Sequence, residues 1–149
     1  MKKIFILVAV IVVVIQFYRP NKNISEKSSY NSIEKHYLVP ANVSLLLKTS
    51  CYDCHSNNTK YPWYNNIQPV AWWLNKHIVE GKKELNFDEF NNYSFEKKKK
   101  KLSEIIHEIE KKDMPLSSYT FIHEDAILTQ QQQKEIIDWA KKLKGSIPD

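Results

Sequence analysis

The stretch Cys51-Tyr52-Asp53-Cys54-His55 governs how the rest of the chain is read. It has the form C-x-x-C-H, the attachment sequence for a c-type haem. Side chains three and four apart share one face of a helical turn. Cys51 and Cys54 are thus spaced to offer their thiols to the two vinyl groups of one porphyrin. His55 is spaced to offer a ring nitrogen to the iron at its centre. A bare C-x-x-C also suits a redox dithiol or zinc. The following histidine sharpens the reading. Cys51 and Cys54 are also the only two cysteines, so a closed zinc site needs two more ligands of another kind.

A chain of 149 residues suffices for one domain with its own core. Hydrophobic residues make up 42%, an ordinary share for a folded domain, and glycine occurs only 2 times, which argues against a turn-rich β architecture. The formal charge is +5, but Lys2, Lys3 and Arg19 flank the N-terminal apolar segment. Without these three of the 22 basic residues, 19 face 17 acidic ones. That excess is too small to point to nucleic acid.

Lys2 and Lys3 precede an apolar run from Ile4 to Ile15, the plan of an export signal. No small-x-small cleavage site follows in Gln16-Phe17-Tyr18-Arg19-Pro20. Residues 1–19 therefore read as an uncleaved signal anchor, with a cleaved signal peptide as the alternative. The run is short for a full span, and flanking Lys, Arg and Tyr side chains extend it by snorkelling. With the lysines held inside, the remainder faces outward. Residues 20–37 are polar and read as a tether with little fixed structure, ending near a solvated His36. Residues 38–149 read as the haem-binding domain.

Within that domain, Pro40 suits the first turn of a helix, and Val43 and Leu47 lead at spacing four to Cys51. This helix is expected to carry the attachment turn at its end. Ser56-Asn57-Asn58-Thr59 marks a loop. Tyr61-Pro62-Trp63-Tyr64 supplies aromatic area, either as a wall for the haem or as plain core. A carbonyl at or near Pro69 is the expected acceptor for the second ring nitrogen of His55. A second helix is expected from Pro69 to about Glu80, closed by Gly81, with Val70, Trp73, Leu74, His77 and Ile78 at helical spacing. Asn86 to Tyr93 reads as a loop or short helix pinned by Phe87, Phe90 and Tyr93.

Ser94 caps a third helix, whose buried stripe is Leu102, Ile105, Ile106 and Ile109, with His107 outside it. Lys97 to Lys101 read as a solvated face in preference to a docking patch for an acidic redox partner. Pro115 holds Met114 away from helix. Met114 is the only methionine besides the initiator, and a thioether on such a loop is able to reach an iron. Met/His ligation is a cytochrome c arrangement. Filling a core gap is the other use for a methionine. His123 is the principal competitor for the sixth position, with His77 behind it. Thr129 and Gln132 form a capping box for a last helix that runs to about Lys144, ends at Gly145 and packs on the Pro40 helix.

The stretches Ser50 to Asn57, Tyr61-Pro62-Trp63-Tyr64, Gln68 to Leu74 and Asp113 to Tyr119 together resemble a small haem-binding domain family related to class I cytochromes c. The resemblance runs from about Leu38 to Leu143. It implies an all-α, cytochrome c-like fold around one covalently bound haem c. Cys51 and Cys54 would carry the thioether bonds, His55 would be the proximal iron ligand, and Met114 the distal one. The aromatic-rich segment after the motif departs from a typical small soluble cytochrome.

The expected function is that of a mono-haem c-type cytochrome carrying single electrons, not an enzyme. Its expected partners are redox proteins, and a membrane reached through the N-terminal segment. The expected location is the periplasm or another extracytoplasmic space, at the inner membrane. Two alternatives stand beside it. One is a haem-based ligand binder or sensor with a labile sixth ligand. The other is a thiol-disulfide oxidoreductase, which the lack of βαβ alternation opposes.

Overall fold

The computed structural model describes residues 1–25 and 27–148. Among these there are eight α-helices and no strand, in line with the all-α expectation. They are α1 (Lys2–Ile15), α2 (Ile33–His36), α3 (Ala41–Ser50), α4 (Tyr52–His55), α5 (Val70–Glu84), α6 (Phe95–Lys111), α7 (Ser117–Thr120) and α8 (Gln130–Ser146). Short 3-10 turns at Trp63–Asn66, Phe87–Asn92 and Glu124–Ala126 connect them.

The core forms where α6 and α8 pack together and α3 closes over α8. Leu47, Phe87, Phe90, Leu102 and Ile136 are almost wholly buried there. Each such side chain contributes about 1.5–3 kcal/mol by leaving water. Ser94 caps α6 by accepting a hydrogen bond from the Lys97 amide at 3.2 Å. Thr129 and Gln132 form the expected capping box on α8, with bonds of 3.3 and 2.8 Å. The turn from Phe87 to Asn92 is pinned by its aromatics, as expected.

Both glycines depart from their expected role. Gly81 lies inside α5, which continues to Glu84, and Gly145 lies inside α8, which continues to Ser146. The reason at Gly81 is packing. A Cβ there would lie 2.9 Å from the Cys54 carbonyl oxygen and 3.1 Å from the Cys54 Cβ. The missing side chain lets α5 approach α4 closely. α8 packs chiefly on α6 and also on α3, so the expected contact with the Pro40 helix is a secondary one.

The lysine run is not a uniform solvated face. Lys98 and Lys101 are buried, at 4% and 7% exposure. Both lie on the apolar stripe of α6, where a long aliphatic stem covers core while the ammonium finds a partner. Lys98 reaches Asn91 and lies over the Tyr37 and Phe95 rings. Lys101 pairs with Glu84 and Glu104.

Residues 20–37 also differ from a loose tether. Ile33 is fully buried in the core. The Asn23 side chain donates to the Ser56 carbonyl and the Thr59 hydroxyl and accepts from Lys82, while its amide donates to the Tyr61 hydroxyl. A few well-placed polar side chains and one buried isoleucine thus hold a segment whose composition is that of a linker.

The apolar N-terminal run forms α1, and none of its 14 residues is buried. At 1.5 Å per residue α1 is about 21 Å long, against a hydrocarbon core of about 30 Å. Among the described residues no helix is long and apolar enough to cross a membrane.

Candidate functional site

The pentapeptide motif straddles a break between two helices. α3 ends at Ser50, and Cys51 adopts φ −130°, ψ −40° before α4 begins. The Cys51 carbonyl then accepts from the amides of Cys54 (3.2 Å) and His55 (3.0 Å), closing the turn. The helical turn expected of the motif is present, as a separate element rather than the end of α3. Side chains around it hold its shape. Asp53 accepts from the Lys60 amide at 2.9 Å and from the Tyr119 hydroxyl at 2.8 Å. Its carbonyl accepts from the Thr59 hydroxyl at 2.6 Å. Tyr52 stacks on Phe87 with centroids 5.1 Å apart.

His55 donates from Nδ1 to the Leu85 carbonyl at 3.0 Å. The expected acceptor near Pro69 is therefore corrected. Pro69 caps the start of α5, whereas Leu85 follows its other end, where the last carbonyls of the helix approach the motif. A carbonyl only accepts, so Nδ1 carries the proton and Nε2 keeps its lone pair for a metal. Burial pulls the His55 pKa down, against the opposing pull of the Leu85 and Gly81 carbonyls, so the ring is held neutral.

Both thiols are free and partly buried. Burial, and secondarily Cys54, pushes the Cys51 pKa up to about 12. Burial, then the Asp53 charge, pushes Cys54 up to about 11. A catalytic dithiol needs the opposite shift, towards thiolate at neutral pH. The environment thus opposes the oxidoreductase alternative. A zinc site is opposed as well, because among the described residues no three His, Cys, Asp or Glu side chains gather to hold a metal ion.

Two adjoining cavities flank the motif, of about 440 and 340 Å³. Ser50, Cys51, His55, Glu84, Met114 and Pro115 line both. Leu47, Leu85, Phe87 and Leu128 add an apolar wall to the larger one. Cys54 lines the smaller. The buried Ser50 hydroxyl, on this shared wall, has no hydrogen-bond partner. Two thiols, an imidazole with a free nitrogen, a thioether and an apolar wall fit a haem in donor chemistry.

Met114 is brought to this space by the end of α6. Lys112 takes the left-handed conformation at φ 62°, and the amides of Asp113 and Met114 turn back to the Glu108 carbonyl. The chain reverses, and Met114 and Pro115 line both cavities. The two histidine competitors differ. His77 lines only the smaller cavity, with its Nδ1 bonded to the Trp73 carbonyl at 2.8 Å. His123 lines neither cavity. It stacks on Tyr119 at 4.4 Å and bonds the Tyr64 hydroxyl through Nε2 at 2.7 Å. His36 and His107 are exposed, as expected. The Tyr61 hydroxyl accepts from the Asn23 amide and the Tyr64 hydroxyl bonds His123, so neither bonds the motif directly, while Trp63 is 75% exposed.

Three features of the site were not anticipated. The Leu85 carbonyl is one, and Gly81 is another. Extending the stripe Leu74, Ile78 by three and then four residues reaches both, so the signal was present. The third is the charged rim of the larger cavity, formed by Lys101, Glu84, Glu104 and Glu108. Lys101 falls one place before Leu102 on the α6 stripe, and that register was its only signal.

The sequence matches a family described as a haem-binding domain, over residues 10–142. No curated protein and no solved structure matches it.

Proposed function

This chain belongs to the haem-binding domain family, and on that footing we propose that it is a mono-haem c-type carrier of single electrons. The observation that carries the proposal is that Cys51, Cys54, His55 and Met114 all line one pair of adjoining cavities. When bound, the haem supplies one-electron chemistry between Fe(II) and Fe(III). The protein's part is attachment, ligation and exclusion of water. Cys51 and Cys54 would hold the haem, each thiol adding its S–H across one vinyl group so that two thioether bonds form and nothing is released. Neutral thiols suit storage of the motif before attachment, because they resist adventitious oxidation. His55 presents Nε2, and its Nδ1–H bond to Leu85 fixes the ring and raises its basicity. Met114, on the turn after α6, would offer its thioether to the iron beside His55. Held by both residues, the iron would offer no open position to a substrate, which suits a carrier rather than an enzyme.

We place this activity outside the cytoplasm, at the membrane. Support comes from Lys2 and Lys3 ahead of an apolar helix, none of whose residues is buried by the domain. Covalent haem attachment to C-x-x-C-H belongs to the same compartment.

The test is to mature the full chain with a haem-attachment apparatus and compare it with Met114→Ala. Intact mass is expected to rise by one haem in both. The sulfur-to-iron absorption band is expected in the first only, with a lower reduction potential in the second. Bare polypeptide would end the c-type reading. An unchanged spectrum in Met114→Ala would remove that ligand and promote His77 or His123.

A further inference from the structure

We infer that the haem domain lies directly on a lipid bilayer, through a patch formed by Trp63, Ile67, Val70 and Trp73. The inference rests on the proposed membrane role of α1 and adds a second contact, made by the folded domain. These four side chains are 75%, 45%, 38% and 43% exposed. They flank one buried residue, Gln68, at the junction of the Trp63–Asn66 turn and α5.

Gln68 is the point at which the domain grips α1. Its amide donates to Gln16 Oε1 at 3.0 Å, and its carbonyl accepts from Gln16 Nε2 at 3.3 Å. Its side chain donates to the Tyr18 carbonyl at 2.9 Å, which also accepts from Trp72 Nε1 at 2.9 Å. Tyr18 meets the Trp72 ring edge-on at 6.0 Å. The patch is therefore continuous with the end of an apolar helix, rather than an isolated apolar face. Phe17 and Tyr18, both strongly exposed, extend it towards α1.

The composition identifies the occupant. Tryptophan and tyrosine concentrate at the membrane–water boundary, where a ring sits among headgroups with its polar edge wet. Arg19 follows immediately, bonded to Asn66 at 3.4 Å, and Lys22 lies just beyond. Length supplies the reason for a second contact. α1 is shorter than the hydrocarbon core, so the residues that follow it are drawn towards the interface and bring the attached surface of the domain with them. The docked patch fixes the orientation of the haem cavities to the membrane. Trp73 stacks on His77 at 4.3 Å, and His77 lines the smaller cavity, so one side of the haem site lies one helical turn from the lipid.

The test uses the full haem-loaded chain in vesicles of phosphatidylethanolamine and phosphatidylglycerol, with hydroxyl-radical footprinting read by mass spectrometry. Trp63 and Trp73 are expected to be labelled about fivefold less than exposed Tyr30 and Phe95 once exposure is allowed for. Trp63→Glu combined with Trp73→Glu is expected to keep the haem spectrum and flotation with vesicles, and to raise labelling of Ile67 and Val70. Flotation with Trp63 labelled as strongly as Tyr30 overturns the docking alone. Failure to float overturns the docking and the membrane role of α1 together, and leaves the haem reading, which the absorption spectrum reports separately. Protection that vanishes as lipid is increased over protein assigns the patch to a second copy of the chain, and also overturns the proposal.

Discussion

The His55 ring and the Leu85 carbonyl lie 3.0 Å apart, joined through Nδ1, although 30 residues separate them. The contact exists because α5 passes close over α4, and that approach depends on Gly81.

Gly81→Ala is therefore expected to destabilise the fold. The new methyl would lie 2.9 Å from backbone, which has no freedom to move aside. Overpacking of this kind costs about 1–3 kcal/mol, set against a gain of about 1 kcal/mol in helix propensity. Gly145→Ala, with nothing within 4 Å of the added carbon, is expected to be neutral or stabilising. Urea titration of the two variants checks the contrast. A Gly81→Ala chain as stable as Gly145→Ala would contradict the role given to the close approach.

The thiols give a pH signature in the chain before haem attachment. At pH 8, Cys51 with its pKa near 12 holds roughly a thousandth of the thiolate of an ordinary cysteine. Alkylation by iodoacetamide is expected to be correspondingly slow, and to accelerate on unfolding in urea. The linkage has a definite sign. The folded state keeps these protons more tightly than the unfolded one, whose thiols titrate near 9.0. Stability is expected to be intact below pH 9 and to fall as pH rises towards 11 and 12. Equal alkylation rates in folded and unfolded chains would refute the assignment.

Tyr119→Phe removes the hydroxyl that bonds Asp53 at 2.8 Å and ties α7 to the attachment turn. A hydrogen bond to a charged group is worth about 1.5–3 kcal/mol. Asp53 is only partly buried and keeps its bond to the Lys60 amide. The lower end of that range is expected, with the melting temperature as readout. Amide exchange is expected to quicken in α7 and to stay unchanged in α8.

Asn23→Ala tests whether residues 20–37 belong to the folded domain. The side chain serves Ser56, Thr59 and Lys82 at once. Its loss is expected to cost about 1–3 kcal/mol and to expose the segment before Ile33 to proteases. A cleavage pattern identical to that of the unaltered chain would favour a free tether.

For the sixth ligand, His123→Ala and His77→Ala are expected to leave the sulfur-to-iron band in place, since neither residue reaches both cavities. Met114→Ala is expected to let the reduced protein bind carbon monoxide at neutral pH. Carbon monoxide binding by the unaltered chain would instead favour the sensor reading.

Local chemistry was legible from residue order alone. Spacing placed two cysteines and a histidine on one turn, caps at Ser94 and Thr129 marked helix starts, and proline marked the exit to Met114. Each depends on neighbours within a few positions, so each survives without knowledge of the fold. The positions that failed share the opposite character. Gly81 and Gly145 read as helix ends because glycine disfavours helix locally, yet packing and continuing backbone bonds carry both helices onward. Lys98 and Lys101 read as solvated by type, until the register of α6 turned them inward. Asn23 and Ile33 lay in a segment whose composition promised no structure. The Leu85 carbonyl has no side-chain signature at all. Sequence determined the chemistry that the motif is able to perform. Only the tertiary structure decided what orients His55, which side chain shares its cavities and what grips the N-terminal helix, because those contacts join residues tens of positions apart whose pairing is set by the packing of whole helices.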